Sequence, residues 1–433
     1  MITVLKQLLI ILCLFAITIP LVNAREKQDA AGIVAASAFH LPERRKEQFS
    51  TSPGYALFPY PYSLPGIGKG ISLVGGVMNI ANTHADGYGV IMGGEVKGVA
   101  AGISDIHIIP RTLIIDVGYS DISKVQTMSY NQRGMNSSKD DYRLLELNDV
   151  AYYGGRITTT FFDRRFELYG GWYKGATQLS NIRDKDGNII VEAQDSPRER
   201  GHTTLIGSRI NLTDDYADPR RGVNLSITRS STPSDSGPNY YVMNYNMTAY
   251  LPIGKRSTWA FNLLRSDTVV TQKGETDPTK LQDQQGINCG DVSLTPLAQQ
   301  DCIEVLNNMI ANNTYGTASS LGGFSRLRSY PQGRYSGAHT QFYGTEVRWN
   351  ITDESTPFDI FVIKDVRTAI QLAAFYELGS TADLRNDVGD TWKKSYGVGF
   401  RMVTASGVVF RGDLAFGDDG LEQQIFIGYP WEL

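Results

Sequence analysis

Along most of this chain, apolar and polar residues alternate with a period of two. From Tyr241 to Leu251, Tyr241, Met243, Tyr245, Met247, Ala249 and Leu251 share one face, and Val242, Asn244, Asn246, Thr248 and Tyr250 share the other. Ile370 to Gly379 repeats the rhythm, with Ile370, Leu372, Ala374, Tyr376 and Leu378 opposite Gln371, Ala373, Phe375, Glu377 and Gly379. So does Val408 to Phe416, where Val408, Phe410, Leu414 and Phe416 oppose Arg411, Asp413 and Ala415. The last predicted strand sets Ile425, Ile427, Tyr429 and Trp431 against Gln424, Phe426 and Gly428. Strict alternation marks half-buried strands with one wet and one dry side. The pattern becomes regular near Gly70, so Gly66-Ile67-Gly68-Lys69-Gly70 is read as the turn into the first strand. Asp163-Arg164-Arg165 and Pro252-Ile253-Gly254-Lys255 predict tight turns, whereas Val125 to Asp149 and Gln272 to Gly322 predict long polar loops. Asp184-Lys185-Asp186-Gly187-Asn188 suits a hairpin turn better than a calcium loop, because its Gly is misplaced and no closing Glu follows.

A stacked soluble sandwich has the same period. The wet faces decide against it, because they carry charges and amides in mid-strand, while the dry faces are aliphatic with Tyr and Trp near their ends. Composition agrees: 44 of the 433 residues are Gly and 23 are Tyr, with 20% charged. Beyond the first residues no run of apolar residues is long enough to cross a membrane as a helix. In lipid every backbone polar group must be paired, so a chain of strands crosses only as a closed sheet. The expected fold is therefore all-β, a transmembrane antiparallel β-barrel of about 16 strands, given spans of roughly ten residues plus turns and loops.

The N-terminus reads as processing. Lys6, the apolar stretch Leu8 to Leu21, and Val22-Asn23-Ala24 ahead of Arg25 form a secretory signal over 1–24. Residues 25–53 are a short charged periplasmic lead, and 54–433 are assigned to the barrel, placing it in a bacterial outer membrane in contact with its lipid. With Cys13 in the leader, Cys289 and Cys302 remain, and an oxidising compartment favours a disulfide between them. Closing so short a loop stabilises it by about 3 kcal/mol.

Enzyme chemistry is not expected. The five histidines are scattered, no zinc spacing or nucleophile elbow occurs, and the Gly66 to Gly70 segment misses the dinucleotide fingerprint. No cofactor or metal site is predicted, and a net charge of −4 offers nothing to nucleic acid.

Four stretches carry a resemblance. Asp214 to Gly222, with Asp218, Pro219 and Gly222 ahead of Val223-Asn224-Leu225-Ser226, resembles a D-x-P-x-x-G strand start. Leu327-Arg328-Ser329-Tyr330 followed by Glu346-Val347-Arg348 resembles a V-R-G-[FY] loop with its E-x-R strand. Phe375-Tyr376-Glu377-Leu378-Gly379 resembles an F-x-D-x-G strand, and the hairpin from Ser395 to Asp413 also fits. In this order they resemble the BamA/TamA superfamily of outer-membrane assembly and translocation barrels, the bacterial surface antigen family, across residues 55 to 433. Two positions depart: Ser329 replaces the loop Gly, which narrows the allowed backbone there, and Glu377 replaces the strand Asp.

The resemblance implies that the loop bearing Arg328 folds inward and pairs with Glu377, a carboxylate that alternation places on the wet face. A guanidinium fork on a carboxylate in a confined lumen is a directional clamp. Glu346 with Arg348, and Arg411 with Asp413, are expected as ordinary lumen charge pairs. The resemblance also implies insertion or passage of polypeptide, with a weak seam between end strands placed near Gly70 to Asn82 and Leu421 to Trp431. Superfamily assembly members carry periplasmic POTRA modules. The 25–53 lead is too short for one, so outer-membrane protein clients and a separate periplasmic partner are both expectations. The alternative reading is a passive channel or a surface-exposed adhesive barrel.

Overall fold

The computed structural model describes residues 53–431, apart from 193–197, 217, 234–236, 286–287, 293–294, 353–356, 361–362 and 405–408. The expected signal at 1–24 and the expected lead up to residue 52 lie outside the described residues.

Period-two sequence becomes strand after strand. The wall opens with four short strands, β1 (Gly54–Leu64), β2 (Gly68–Met78), β3 (Asp86–Gly94) and β4 (Lys97–Ile109). Taller ones follow: β5 (Leu113–Tyr130), β6 (Tyr142–Phe161) and β7 (Phe166–Arg183), whose ribbon is extended by the small β8 (Ile189–Glu192). Then come β9 (Glu199–Asn211), β10 (Gly222–Ser231), β11 (Asn239–Ile253) and β12 (Ser257–Gln272). A long connection holding α1 (Pro278–Gln285) and α2 (Pro296–Tyr315) leads to β13 (His339–Asn350), the small β14 (Pro357–Ile360) and β15 (Ile363–Ala382). The wall finishes with β16 (Lys393–Thr404), β17 (Val409–Gly417) and β18 (Gly420–Ile427).

Each main strand pairs antiparallel with the next, β7 pairing directly with β9 and β13 with β15, and β18 returns to β1. Setting aside β8 and β14, sixteen strands close one barrel. The short connections 110–112, 162–165 and 254–256 lie at the same end as the start of β1 and the end of β18. The long helical connection lies at the other end.

Alternation then assigns the faces. Ile71, Leu73, Ile91, Val99, Leu251, Leu372, Val398 and Leu414 are exposed on the outer wall, with Trp172, Trp259, Trp349, Tyr376 and Tyr396 among them. A continuous apolar belt of this extent has no place in water and fits hydrocarbon. The opposite faces bury Thr158, Glu167, Asn262, Glu346, Gln371, Glu377 and Arg401 inside the bore.

Three expectations need correction. The first strand is not the one starting near Gly70. β1 precedes it, and Gly66-Ile67-Gly68 is the turn between β1 and β2, with Ile67 N–H donating to Leu64 O at 3.0 Å. Pro59 and Pro61 had disguised β1, since proline is admitted only on a strand edge. Val125 to Asp149 is not a loop. β5 and β6 stay paired up to Tyr130 and Tyr142, because Val125, Leu145 and Leu147 alternate inward and bury together. β18 ends at Ile427, and Gly428, in the left-handed region at φ 111°, turns Tyr429 and Trp431 into the bore instead of onto the outer wall.

Cys289 and Cys302 form a disulfide in the helical connection, Cys302 lying within α2.

If the outer belt meets hydrocarbon, Ile91→Lys should destabilise the barrel by about 2–4 kcal/mol near the midplane. Chemical unfolding in phospholipid vesicles measures this, and no loss of stability there would count against a lipid-facing wall.

Candidate functional site: an arginine-tipped loop sealed in the bore

Beyond α2 the chain folds back through the barrel. Leu321 bridges Tyr335 in antiparallel fashion, Ala318 N–H donates to Gly337 O at 2.8 Å, and Gly323 N–H donates to Tyr330 O at 2.7 Å. Glycine is required at Gly322 (φ 102°), where a Cβ would lie 2.1 Å from Pro331 O. The tip takes its left-handed residue at Leu327 (φ 51°), two positions before Ser329, so the Gly-to-Ser departure meets no left-handed backbone at Ser329 itself. Leu327, Arg328, Ser329 and Tyr330 are all fully buried. Ser329 N–H donates to Ser395 Oγ at 3.0 Å, and Tyr330 OH donates to Lys394 O at 3.0 Å, fastening the tip to β16.

Arg328 is the centre. Its Nε donates to Glu377 Oε1 at 2.9 Å, and its own backbone N–H donates to Glu377 Oε2 at 2.9 Å. Nη1 reaches Glu346 Oε2 at 2.9 Å and Asp413 Oδ2 at 3.1 Å, and the guanidinium lies 3.4 Å over the Phe375 ring. Glu346 comes from β13, Glu377 from β15 and Asp413 from β17, so one side chain ties three strands to the loop. Arg348 Nε adds a bond to Glu346 Oε1 at 2.9 Å, and Arg401 joins Glu346 Oε2 (3.1 Å) and Asp413 Oδ1 (2.5 Å).

Glycines make room for the cluster. A Cβ at Gly399 would fall 2.1 Å from Asp413 Oδ1, and one at Gly344 would fall 2.7 Å from the Trp431 ring. Trp431 Nε1 donates to Glu377 Oε1 at 3.0 Å, while Trp431 O accepts from Arg326 Nη2 at 3.2 Å. In this buried set Arg326, Arg328, Arg348, Arg401 and Arg411 meet Glu346, Glu377 and Asp413. The cationic surplus is met by carbonyls and aromatic faces: Arg411 donates to Phe324 O, Arg348 stacks 3.8 Å over Tyr429, and Arg411 lies 5.5 Å from the Phe426 ring centre.

The strand-start residues lie in a second cluster toward the short-turn end. Asp218 accepts from Arg220 Nη2 at 3.2 Å, from Gln371 Nε2 at 3.3 Å and from Tyr429 OH, and Pro219 sits beside it. Gly222 begins β10 at φ 111°, with Leu212 O where a Cβ would stand. A third group pairs Arg164 with Asp105 (2.9 Å) and Glu167 (3.1 Å), and Arg156 with Asp116 (2.9 Å). Sequence reasoning named Arg328, Glu377, Glu346 and Arg348 and missed the parts of Arg401, Arg326, Tyr429 and Trp431. The Gly-Tyr-Pro at 428–430 was the available sign that β18 stops before them.

The molecule is thus a sixteen-stranded antiparallel barrel whose bore is closed by an arginine-tipped loop. No protein-family model matches the chain, and no curated protein matches its sequence. Among solved structures it is similar to BamA from Haemophilus ducreyi lacking POTRA domains 1–3, at 12% identity and TM-score 0.45, covering 88% of this chain and 71% of that one. It is also similar to CdiB from Escherichia coli, at 12% identity and TM-score 0.48, covering 87% of this chain and 61% of that one. OccK11 (OpdR) of Pseudomonas aeruginosa is similar at 10% identity and TM-score 0.29, covering 87% of this chain and 93% of that one. These likenesses concern the barrel fold alone.

Arg328→Ala strips three buried carboxylates of a partner, which should cost about 3–5 kcal/mol. The expected result is a lower temperature for the heat-dependent shift in gel mobility and new protease cleavage within 317–338. Unchanged mobility and unchanged protection would show that Arg328 does not hold the loop.

Proposed function

We propose that this protein resides in a bacterial outer membrane and acts in the insertion or passage of polypeptide there, as a barrel of the BamA/TamA kind. The seam between the first and last strands carries this reading. β1 and β2 share eleven register pairs and β17 and β18 share eight, whereas β1 and β18 share one, Ser63 with Ile425. Ladder bonds are what hold strands together where water cannot replace them. On this side β1 has otherwise only two pairs with β15, Tyr55 with Lys364 and Ala56 with Ile363, so the closure is the line along which the wall parts most readily, leaving strand edges that pair with another chain. The motif order in the sequence points the same way. On this reading the barrel needs no catalytic centre and no cofactor, and its partners are outer-membrane lipid, an unfolded outer-membrane protein client and a separate periplasmic protein that delivers it.

The sealed loop weighs against a simple pore. Fully buried Arg328, Tyr330 and Tyr335 occupy the bore that a passive channel leaves to water. Planar-bilayer recordings should therefore give low, flickering conductance, and a steady open pore would replace this proposal with the channel reading.

The direct test joins the seam. Ser63→Cys with Ile425→Cys, oxidised across their register pair, should abolish assembly of a reporter barrel in vesicles, and reduction should restore it. Full assembly by the locked barrel would remove lateral opening from the function.

A further inference from the structure

The two edges of the seam are chemically unequal. Tyr60 O accepts from Ser72 Oγ of β2 at 2.8 Å, so the even residues of β1 direct their backbone groups to β2 and the odd ones face the seam. The seam side of β1 is therefore Tyr55, Leu57, Pro59, Pro61 and Ser63. Across from it, Gly428 N–H donates to Val409 O of β17 at 2.7 Å, so the odd residues of β18, namely Leu421, Gln423, Ile425 and Ile427, face β1.

Proline has no N–H, so two consecutive seam positions of β1 accept but cannot donate. Counting two residues along the antiparallel register from Ser63 with Ile425 places Pro61 opposite Ile427. β1 pairs with β18 at Ser63 with Ile425, and on the far side of the proline pair it meets β15 instead, at Tyr55 with Lys364 and Ala56 with Ile363; no register pair falls at Pro59 or Pro61 on this side. Side chains span the interval instead: Tyr60 OH donates to Phe426 O at 2.9 Å, and the Phe410 ring packs 5.0 Å from Phe58 and 5.1 Å from Tyr60. Next to Ser63, its Oγ donates to Gln423 O at 3.0 Å. β18 suffers no such gap, since all four of its seam-facing residues carry both a donor and an acceptor.

We propose that β18, not β1, is the edge on which this barrel captures an extended, proline-free polypeptide segment. The inference rests on the polypeptide-handling role above. A strand laid on β1 leaves its carbonyls opposite Pro59 and Pro61 without donors, in surroundings where water cannot replace them. The same strand laid on β18 completes its bonds.

The test uses the full-length protein in vesicles of phosphatidylethanolamine and phosphatidylglycerol. The probe is a synthetic peptide reproducing Leu113–Lys124, a proline-free segment of the protein's own β5, with benzophenone-alanine in place of Tyr119. Photo-adducts mapped by mass spectrometry should fall on Leu421 to Ile427 with roughly tenfold preference over Tyr55 to Ser63, the order expected when two ladder bonds are unavailable. Pro59→Ala with Pro61→Ala should bring the two yields close to parity. The converse variant Gln423→Pro should cut adducts on β18 several-fold while keeping the heat-dependent gel shift of the folded barrel. Wild-type adducts shared equally between the edges or favouring β1, or a ratio unmoved by these substitutions, would overturn the assignment to β18 and leave the seam reading intact. Adducts on neither edge would overturn both.

Discussion

In hydrocarbon, a backbone N–H or C=O that finds no partner finds no water either, and this constraint organises the molecule. It forces sixteen strands to close on one another, excludes open edges from the wall, and makes β1 and β18 meet. It also explains why the meeting of β1 and β18 is the part of the wall that demands explanation. The neighbouring pairs β1–β2 and β17–β18 carry eleven and eight register pairs, and here hydroxyl groups and aromatic rings supplement a single one. Pro59 and Pro61 lie on the seam side of β1, an edge where proline can persist without breaking an interior ladder.

Inside the wall the same logic applies to charge. Arg328 is held by three carboxylates from three strands because a lone guanidinium in that position would be prohibitively placed. The carboxylates in turn are shared with Arg348 and Arg401, and the aromatic faces of Phe375, Tyr429 and Phe426 take part of the remaining positive field. Removing one member leaves the others buried without their counter-charges. Gly344 and Gly399 belong to this arrangement as much as the charged residues do, since any side chain there would stand where Trp431 or Asp413 stands.

Much of the wall was legible from alternation, because a two-faced strand between lipid and a wet bore must alternate. Tyr241 to Leu251 and Ile370 to Gly379 read correctly residue by residue. β1 did not, because its prolines interrupt the signals of a strand and its role at the edge is visible only once the sheet is closed. The paired ribbon of β5 and β6 past the belt was hidden by its polarity, which resembles a loop until Val125, Leu145 and Leu147 are seen to share a side. At the site, Arg328 and Glu377 were legible through motif order, and their meeting is a 2.9 Å bond. Trp431 was misplaced, because period two continues through Tyr429 and Trp431 in the sequence while the backbone reverses at Gly428. Alternation records which residues would share a face if the strand went on, not where it ends.

The reversal at Gly428 has a mechanical consequence. The residues just past β18 hang from the bore: Tyr429 OH bonds Asp218 and Gln371, while Trp431 bonds Glu377 and accepts from Arg326 and Asn246. Glu377 is the same carboxylate that grips Arg328. The last strand is thus tethered, through a four-residue leash, to the latch that keeps the loop in place. An outward swing of β18 must draw on that leash before it can go far, and ejection of the loop slackens it. Wall and stopper share one fastening, so neither travels the whole of its path while the other stands still.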